Sequence, residues 1–148
     1  MCIRDSSYTY DILNRVTSII QSEGTVSYTY DQGNKAIGKP SKITYPNYES
    51  NLVYDNFGRV SQNTIVISGK SYAYKYFYNT IGKLDLLEHP SGITLKYDYN
   101  SDFYLFKITN NQNNKLLWEQ NKADEKNRVI EETFGNGTVT RYTYDVQD

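Results

Sequence analysis

Five aspartates recur at the end of a short repeated word in this 148-residue chain: Asp11, Asp31, Asp55, Asp124 and Asp145. A periodic carboxylate brings calcium to mind, and calcium needs several oxygen ligands converging on one point. Here each copy of the word supplies one carboxylate. A cation follows a few residues on, as at Arg15, Arg59 and Arg128, and a cation in the coordination sphere opposes metal binding. The same spacing suits an Asx-turn, in which the carboxylate bonds nearby backbone N–H groups, with an Asp–Arg pair at the margin of a sheet. Asn79 and Asn100 stand in two further copies, and asparagine makes the same turn. No metal site is expected.

The second candidate chemistry is aromatic. Sixteen residues are Tyr, and rows of rings can stack on sugars or bases. Proteins that bind single strands add a basic groove to the rings. This chain has 16 basic against 17 acidic side chains, a net charge of −1 and no basic stripe, so no nucleic-acid partner is expected. Carbohydrate is the alternative ligand for the rings, although as packing they need no ligand. His89 precedes Pro90 with no paired carboxylate pattern, and reads as a surface turn residue. Trp118 stands where other copies carry aliphatics, and reads as packing. Cys2 is the only cysteine, so no internal disulfide forms. No phosphate-cradling glycine loop, zinc spacing or nucleophile elbow occurs. The expected catalytic, cofactor-binding and metal-binding sets are therefore empty, and the chain is expected not to be an enzyme.

The elements that carry these residues follow from the repeated word. Tyr28-Thr29-Tyr30-Asp31 recurs at Tyr8-Thr9-Tyr10-Asp11 and Tyr142-Thr143-Tyr144-Asp145. Degraded copies are Leu52-Val53-Tyr54-Asp55, Tyr76-Phe77-Tyr78-Asn79, Tyr97-Asp98-Tyr99-Asn100 and Asn121-Lys122-Ala123-Asp124. The closing Asp or Asn recurs every 20 to 24 residues, the signature of a repeat architecture. After it comes Gly or Asn, then a cation, then usually an aliphatic residue, as in Asn14-Arg15-Val16, Gly58-Arg59-Val60, Gly82-Lys83-Leu84 and Asn127-Arg128-Val129. The second copy has four extra residues before Gly38, and the fifth, Phe103-Tyr104-Leu105, has lost both Gly and cation. Such a turn launches a new strand.

The launched strands read Val16–Gln21, Ser41–Tyr45, Val60–Ile67, Leu84–Glu88, Leu105–Thr109 and Val129–Phe134. Each meets a second turn signal, such as Pro46-Asn47 or Ser68-Gly69-Lys70, and a returning strand carries the next tyrosine pair. The expected fold is all-β: about 12 strands in repeated antiparallel hairpins, without helix. Alternation along strands puts Tyr72, Tyr74, Tyr76 and Tyr78 on one face, and likewise Thr138, Thr140, Tyr142 and Tyr144. Neighbouring rows are expected to form an aromatic ladder. A dozen sequential strands exceed the roughly 10 that an open twisted sheet holds without curling, so the strip is expected to coil.

Tyr-x-Tyr-Asp-x-x-Gly-Arg-Val/Leu followed by a Gly turn resembles the YD repeat of Rhs proteins. The likeness covers the chain after its first residues and rests on about six periods. It implies a curled strip of hairpins that is part of a hollow Rhs-type shell. In bacterial polymorphic toxins and the C component of insecticidal complexes, such a shell encloses a C-terminal toxin. Teneurins use a similar shell in adhesion. The self-cleaving region of the family has no counterpart in this sequence, so no catalytic residue is carried over.

Residues 1–6 look like a translated sequencing-adapter remnant and are expected to be a non-native leader, with the YD-repeat array over 7–148. The chain begins and ends inside the repeated word, which suggests a piece of a larger shell. The expected partners are the remainder of that shell and its enclosed C-terminal toxin domain, in a secreted or bacterial cell-surface protein. No apolar run approaches the roughly 18 residues of a membrane span, and no membrane insertion is expected. The alternative is a carbohydrate- or protein-binding repeat module of a cell-surface protein.

Overall fold

The computed structural model describes residues 6–145, and every regular element among them is a β-strand. In order these are β1 (Ser7–Tyr10), β2 (Val16–Gln21), β3 (Gly24–Tyr30), β4 (Pro40–Tyr45), β5 (Tyr48–Tyr54), β6 (Val60–Ile67) and β7 (Lys70–Tyr78). They continue as β8 (Leu84–Glu88), β9 (Thr94–Tyr99), β10 (Leu105–Asn110), β11 (Leu116–Ala123), β12 (Val129–Phe134) and β13 (Val139–Arg141). Each strand is hydrogen-bonded beside the next in sequence order, in a 13-stranded antiparallel meander. The chain divides within β7 into two compact units, Met1–Lys75 and Tyr76–Asp148. The leader expected at 1–6 lies outside the described residues except for Ser6, and so does Cys2.

Four of the six launched strands have the expected bounds, and β4 and β10 are one residue longer. The last returning strand is shorter than its alternation suggested. β13 ends at Arg141, so Tyr142 and Tyr144 lie beyond it, although the Tyr142 N–H still bonds the Ile130 carbonyl at 3.0 Å.

In the first unit two kinds of turn alternate, whereas in the second the tips at His89 and Phe134 close with the same bonds as the seams. The hairpin tips are tight: Gln21 pairs with Gly24, Tyr45 with Tyr48 and Ile67 with Lys70. At Ser68 and Gly69 both central residues have positive φ, 48° and 79°, the pattern of a type I′ turn. The other turn is the seam, built on the repeated Asp or Asn. At Asp55 the Gly58 N–H bonds the Asp55 carbonyl at 2.9 Å, and the Asp55 N–H bonds the Arg59 carbonyl at 2.8 Å. Gly58 has φ 75°, and the register slips between Val53 and Tyr54. This is a three-residue loop closed by a left-handed residue and a bulge. It explains why Gly or Asn must stand three places after the Asp.

The decayed fifth copy shows the cost. Phe103 occupies the left-handed position with φ 65° and is largely exposed. A side chain with a Cβ is disfavoured there by roughly 1–2 kcal/mol. Phe103→Gly is expected to stabilise the protein by about 1 kcal/mol, the strain relief outweighing the added freedom of the unfolded chain. A shift of the urea midpoint to higher concentration at unchanged slope would register it, and an unchanged or lower midpoint would refute it.

The sheet has two chemically distinct faces, described here unit by unit. In the first unit, Tyr28, Ile43, Ser50, Ile65 and Tyr72 are register partners across five strands. Ser27, Thr44, Glu49, Val66 and Ser71 form the neighbouring row on the opposite face. In the second unit the aromatic row is Tyr97, Ile108, Trp118 and Phe134. Its opposite is Asp98, Lys107, Glu119, Thr133 and Val139.

The expected continuous ladder of rings is therefore corrected. Tyr28 and Tyr97 face aliphatic partners, Ile43 and Ile108, and Tyr74 faces Asn63. Tyrosines of consecutive seams are two strands apart, roughly 10 Å, which is beyond ring contact. Rings mostly face aliphatic or small polar side chains instead, and ring meets ring across strands only locally, as at Tyr45–Tyr48 and Trp118–Phe134. Tyr28 and Tyr30 stack along one strand, with centroids 6.4 Å apart. A single sheet buries little: among the described residues only Ala36 and Tyr54 are apolar and less than a tenth exposed.

Candidate functional site

The feature that recurs with fixed geometry is the seam. Its carboxylate works as a backbone acceptor. Asp11 Oδ1 accepts the N–H groups of Leu13 and Arg15 at 2.9 and 3.0 Å. Asp55 Oδ1 accepts those of Phe57 and Arg59, both at 2.9 Å, and Asp124 those of Lys126 and Arg128 at 2.9 and 2.8 Å. The second oxygen takes the cation: Arg15, Arg59 and Arg128 each place Nε 2.7 Å from Oδ2 of their own aspartate. Asn79 and Asn100 accept the same two backbone bonds with a neutral amide oxygen. The Asx-turn with an Asp–Arg pair is what the spacing called for. Among the described residues, no group of three or more His, Cys, Asp or Glu is placed to hold a metal ion.

The cation does more than the sequence suggested. Arg15 lies over the ring of Tyr30, 4.3 Å from its centroid, and Arg128 lies over Tyr144 at 4.2 Å. The Lys39 ammonium is 5.0 Å from the Tyr54 ring. In each case the ring closes the next copy of the word. That tyrosine's hydroxyl then donates to the carbonyl of the residue just after the cation. Tyr30 reaches Val16 at 2.8 Å, Tyr54 reaches Pro40 at 2.6 Å, Tyr99 reaches Leu84 at 2.8 Å and Tyr144 reaches Val129 at 2.9 Å. The seams closed by Tyr30, Tyr54, Tyr99 and Tyr144 are thus tied to their predecessors by a hydrogen bond of about 1 kcal/mol, to which Tyr30, Tyr54 and Tyr144 add a cation–π contact of about 0.5–1 kcal/mol. Ala123 leaves the Asp124 seam without a tyrosine to make the tie. The sequence signal was present: the closing tyrosine stands fifteen or sixteen residues after the cation at Arg15, Lys39, Lys83 and Arg128.

The second copy departs from this plan. Its insertion folds over Ala36, which is 1% exposed, and the Lys39 N–H closes on the Ala36 carbonyl at 2.9 Å. Asp31 itself has φ 64° and turns its carboxylate to the preceding seam. Arg15 grips it with two bonds, Nη1 to Oδ1 at 3.0 Å and Nη2 to Oδ2 at 2.7 Å. The Arg15 guanidinium therefore joins two seams, and its bonds to Asp31 and then to Asp11 hold its pKa above the ordinary arginine value.

The seam carboxylates are held below the usual range. At Asp11 the leading cause is the bond from the Arg15 backbone N–H, and at Asp31 the Arg15 side chain. At Asp55 and Asp124 partial burial is the largest single influence and acts upward, but the summed bonds from Arg59 and Arg128 outweigh it. A lowered folded pKa contributes stability that is complete above the unfolded value, near 3.8, and is lost as pH falls through the folded value. The melting temperature is expected to be flat near neutrality and to fall below about pH 4. Replacing Asp11, Asp31, Asp55 and Asp124 by asparagine should flatten that acid limb, since Asn79 and Asn100 already make the turn without charge. An acid limb unchanged in the fourfold variant would show that the seams do not set it.

The other sequence candidates are dispersed. His89 is exposed, and its Nδ1 accepts the Ser91 N–H at 3.1 Å while lying 2.8 Å from the Ser91 hydroxyl, in a turn of its own. Trp118 is more than packing. Its indole N–H donates to Glu132 at 2.6 Å, and the Tyr142 hydroxyl donates to the other carboxylate oxygen at 2.5 Å. Bonds from Tyr142 first and Trp118 second hold the Glu132 carboxyl below its ordinary value. Glu132 is 7% exposed on the aromatic face and escaped the sequence reading. The available signal was the Glu131-Glu132 pair: on an alternating strand, one of two adjacent glutamates must join the rings.

No family model matches the sequence, and no curated protein matches it. Solved structures do. One is TcdB2-TccC3 without its hypervariable C-terminal region, with a TM-score of 0.69 over 97% of this chain, at 17% identity. The chain shares the fold of these Rhs-containing toxin-complex chains. A second is the TcdB2-TccC3-Cdc42 complex, with a TM-score of 0.65 over 90% of the chain, also at 17% identity. This chain spans 9% and 8% of the length of the chains it matches. The Rhs/YD-repeat reading of the word Tyr-x-Tyr-Asp thus has a structural counterpart, a sequential meander whose seams fall on that word.

Proposed function

We propose that this chain is a non-enzymatic wall segment of an Rhs/YD-repeat shell that encloses a C-terminal toxin or effector domain, in a secreted or bacterial cell-surface protein. The observation that carries the reading is the tie between successive seams. The closing tyrosines Tyr30, Tyr54, Tyr99 and Tyr144 are each bound to a carbonyl of the preceding copy. The sheet is thereby fastened at these four seams and not only along its strands. The fold likeness to toxin-complex chains supports the shell. The partners are then the remainder of the same shell and the enclosed domain, with the seams keeping the wall closed.

The test is protease protection in the intact parent protein. Its C-terminal domain is expected to resist digestion until Tyr30, Tyr54, Tyr99 and Tyr144 are replaced together by phenylalanine, or until the hairpins of this segment are deleted. A C-terminal domain digested equally fast with the segment intact would refute enclosure.

A second reading, a carbohydrate- or protein-binding module, is favoured by one feature. An open cleft of about 350 Å³ lies at the hairpin tips of the first unit, lined by Tyr45, Tyr48, Asn47 and Thr44 among others. Glycan-array binding lost in Tyr45→Ala and Tyr48→Ala would support it.

A further inference from the structure

An asparagine amide becomes a modification site when Ser or Thr stands two places after it and the residue between is not Pro. Asparagine is common in this chain, and nearly every copy misses that spacing. Asn63-Thr64, Asn79-Thr80 and Asn100-Ser101 carry the hydroxyl one place too early, and the cluster from Asn110 to Asn114 carries none. Asn136-Gly137-Thr138 alone meets it. So short a word arises often by chance, and what distinguishes this copy is its place in the fold.

The word forms the tip between β12 and β13. The Phe134 N–H bonds the Thr138 carbonyl at 2.9 Å, and the Gly137 N–H bonds the Phe134 carbonyl at 2.8 Å. Gly135 is held against the adjoining hairpin by its bond to the Leu117 carbonyl. One residue further on the packing stops. Asn136, Gly137 and Thr138 are all exposed, and Gly137 has open space around it. The tip is thus anchored at one end and bare at the other.

The amide is also presented in a fixed way. Asn136 Oδ1 accepts the Thr138 N–H at 3.0 Å. A donor on that oxygen draws electron density towards it and makes the Nδ2 protons easier to lose. Among the described residues, nothing bonds Asn136 Nδ2 or the Thr138 hydroxyl. The fold therefore leaves unclaimed the two groups that a transferase has to engage. The seam residues Asn79 and Asn100 differ, since each accepts two backbone N–H groups and has no hydroxyl at the required place.

We propose that Asn136 is an acceptor for N-linked glycosylation, with a sugar carried on a diphosphate as the donor. In the transfer, Nδ2 attacks the anomeric carbon and the N–C bond forms. The bond from that carbon to the diphosphate oxygen breaks, and the diphosphate leaves with the electron pair. One Nδ2 proton passes to a base of the transferase, and the amide keeps the other. Nothing is oxidised or reduced. The diphosphate can belong to a nucleotide or to a lipid, and the sugar delivered separates the two. A glycan is bulky and solubilising, so it would keep this hairpin tip in solvent. The proposal goes beyond the wall reading, and protection of an enclosed domain has no bearing on it.

Trypsin cuts after Arg128 and Arg141, which isolates the tip as the peptide 129–141. In the protein isolated from the cells that make it, mass spectrometry of that peptide is expected to find added sugar at Asn136. A lone hexose would point to a nucleotide-linked donor, and a chain rooted in N-acetylhexosamine to a lipid-linked one. Either supports the proposal. The sugar should vanish in Thr138→Val and persist in Thr138→Ser, with far-UV circular dichroism checking that both keep the sheet. A peptide without sugar would overturn the proposal. So would conversion of Asn136 to aspartate in place of glycosylation, and so would sugar that survives in Thr138→Val.

Discussion

Tyr54→Ala is expected to destabilise the protein by about 3 kcal/mol, the largest effect of any single side-chain truncation in the first unit. Tyr54 is 8% exposed, the lowest value of any large apolar side chain among the described residues. Its ring lies under the Lys39 ammonium, and its hydroxyl donates to the Pro40 carbonyl at 2.6 Å. Burial raises the pKa of that hydroxyl, as it should for a group removed from water. Alanine removes the ring that fills the space between two seams and leaves no second layer to collapse into the gap. Tyr54→Phe keeps the ring and loses only the bond, so it should cost about 1 kcal/mol. Urea unfolding separates the two variants. A Phe variant as unstable as the Ala variant would mean that the hydroxyl, and not the ring, holds the seam.

Gly135→Ala is expected to cost about 2 kcal/mol or more, in the range of overpacked sites. The reason is not backbone conformation. A Cβ at this position would run into the carbonyl and Cα of Leu116 and Leu117 in the adjoining hairpin, and backbone there cannot swing aside as a flexible side chain would. The Gly135 N–H is bonded to the Leu117 carbonyl at 2.9 Å, which fixes the close approach. Gly137, in the same turn, has a positive φ of 86° and open space around it. Gly137→Asn should therefore be tolerated, because asparagine accepts that conformation. Equal melting temperatures for Gly135→Ala and the parent chain would remove the case for this contact.

These two residues mark where sequence reasoning reached its limit. Tyr54 was legible as part of a repeated word, and its strand as one member of a hairpin. That it alone among the tyrosines is buried was not legible, since the burial comes from the lysine and carbonyl of the preceding seam. Gly135 was legible as a turn residue, but the neighbour that forbids a larger side chain lies on the adjoining hairpin. Likewise the Asx-turn was read correctly at Asp11, Asp55 and Asp124. The four-residue insertion after Asp31 was visible too, but not its consequence, that the carboxylate reaches back to Arg15 while still accepting the Gly38 N–H of its own turn at 2.6 Å.

The sequence by itself determined the all-β class, the hairpin period, most strand bounds and the seam turn. Those depend on interactions within a few residues: alternation, Asx bonding and the left-handed position. The tertiary structure decided which rings are buried, that Tyr28 and Tyr97 face isoleucines across strands, that Glu132 receives Trp118 and Tyr142, and that cations bridge successive copies at Arg15 and Arg128. Those depend on which residues a register brings together across strands. A bulge at the seams after Tyr10, Tyr30 and Tyr54 shifts that register by one, and its effect on neighbours fifteen residues away is settled only when the strands are paired.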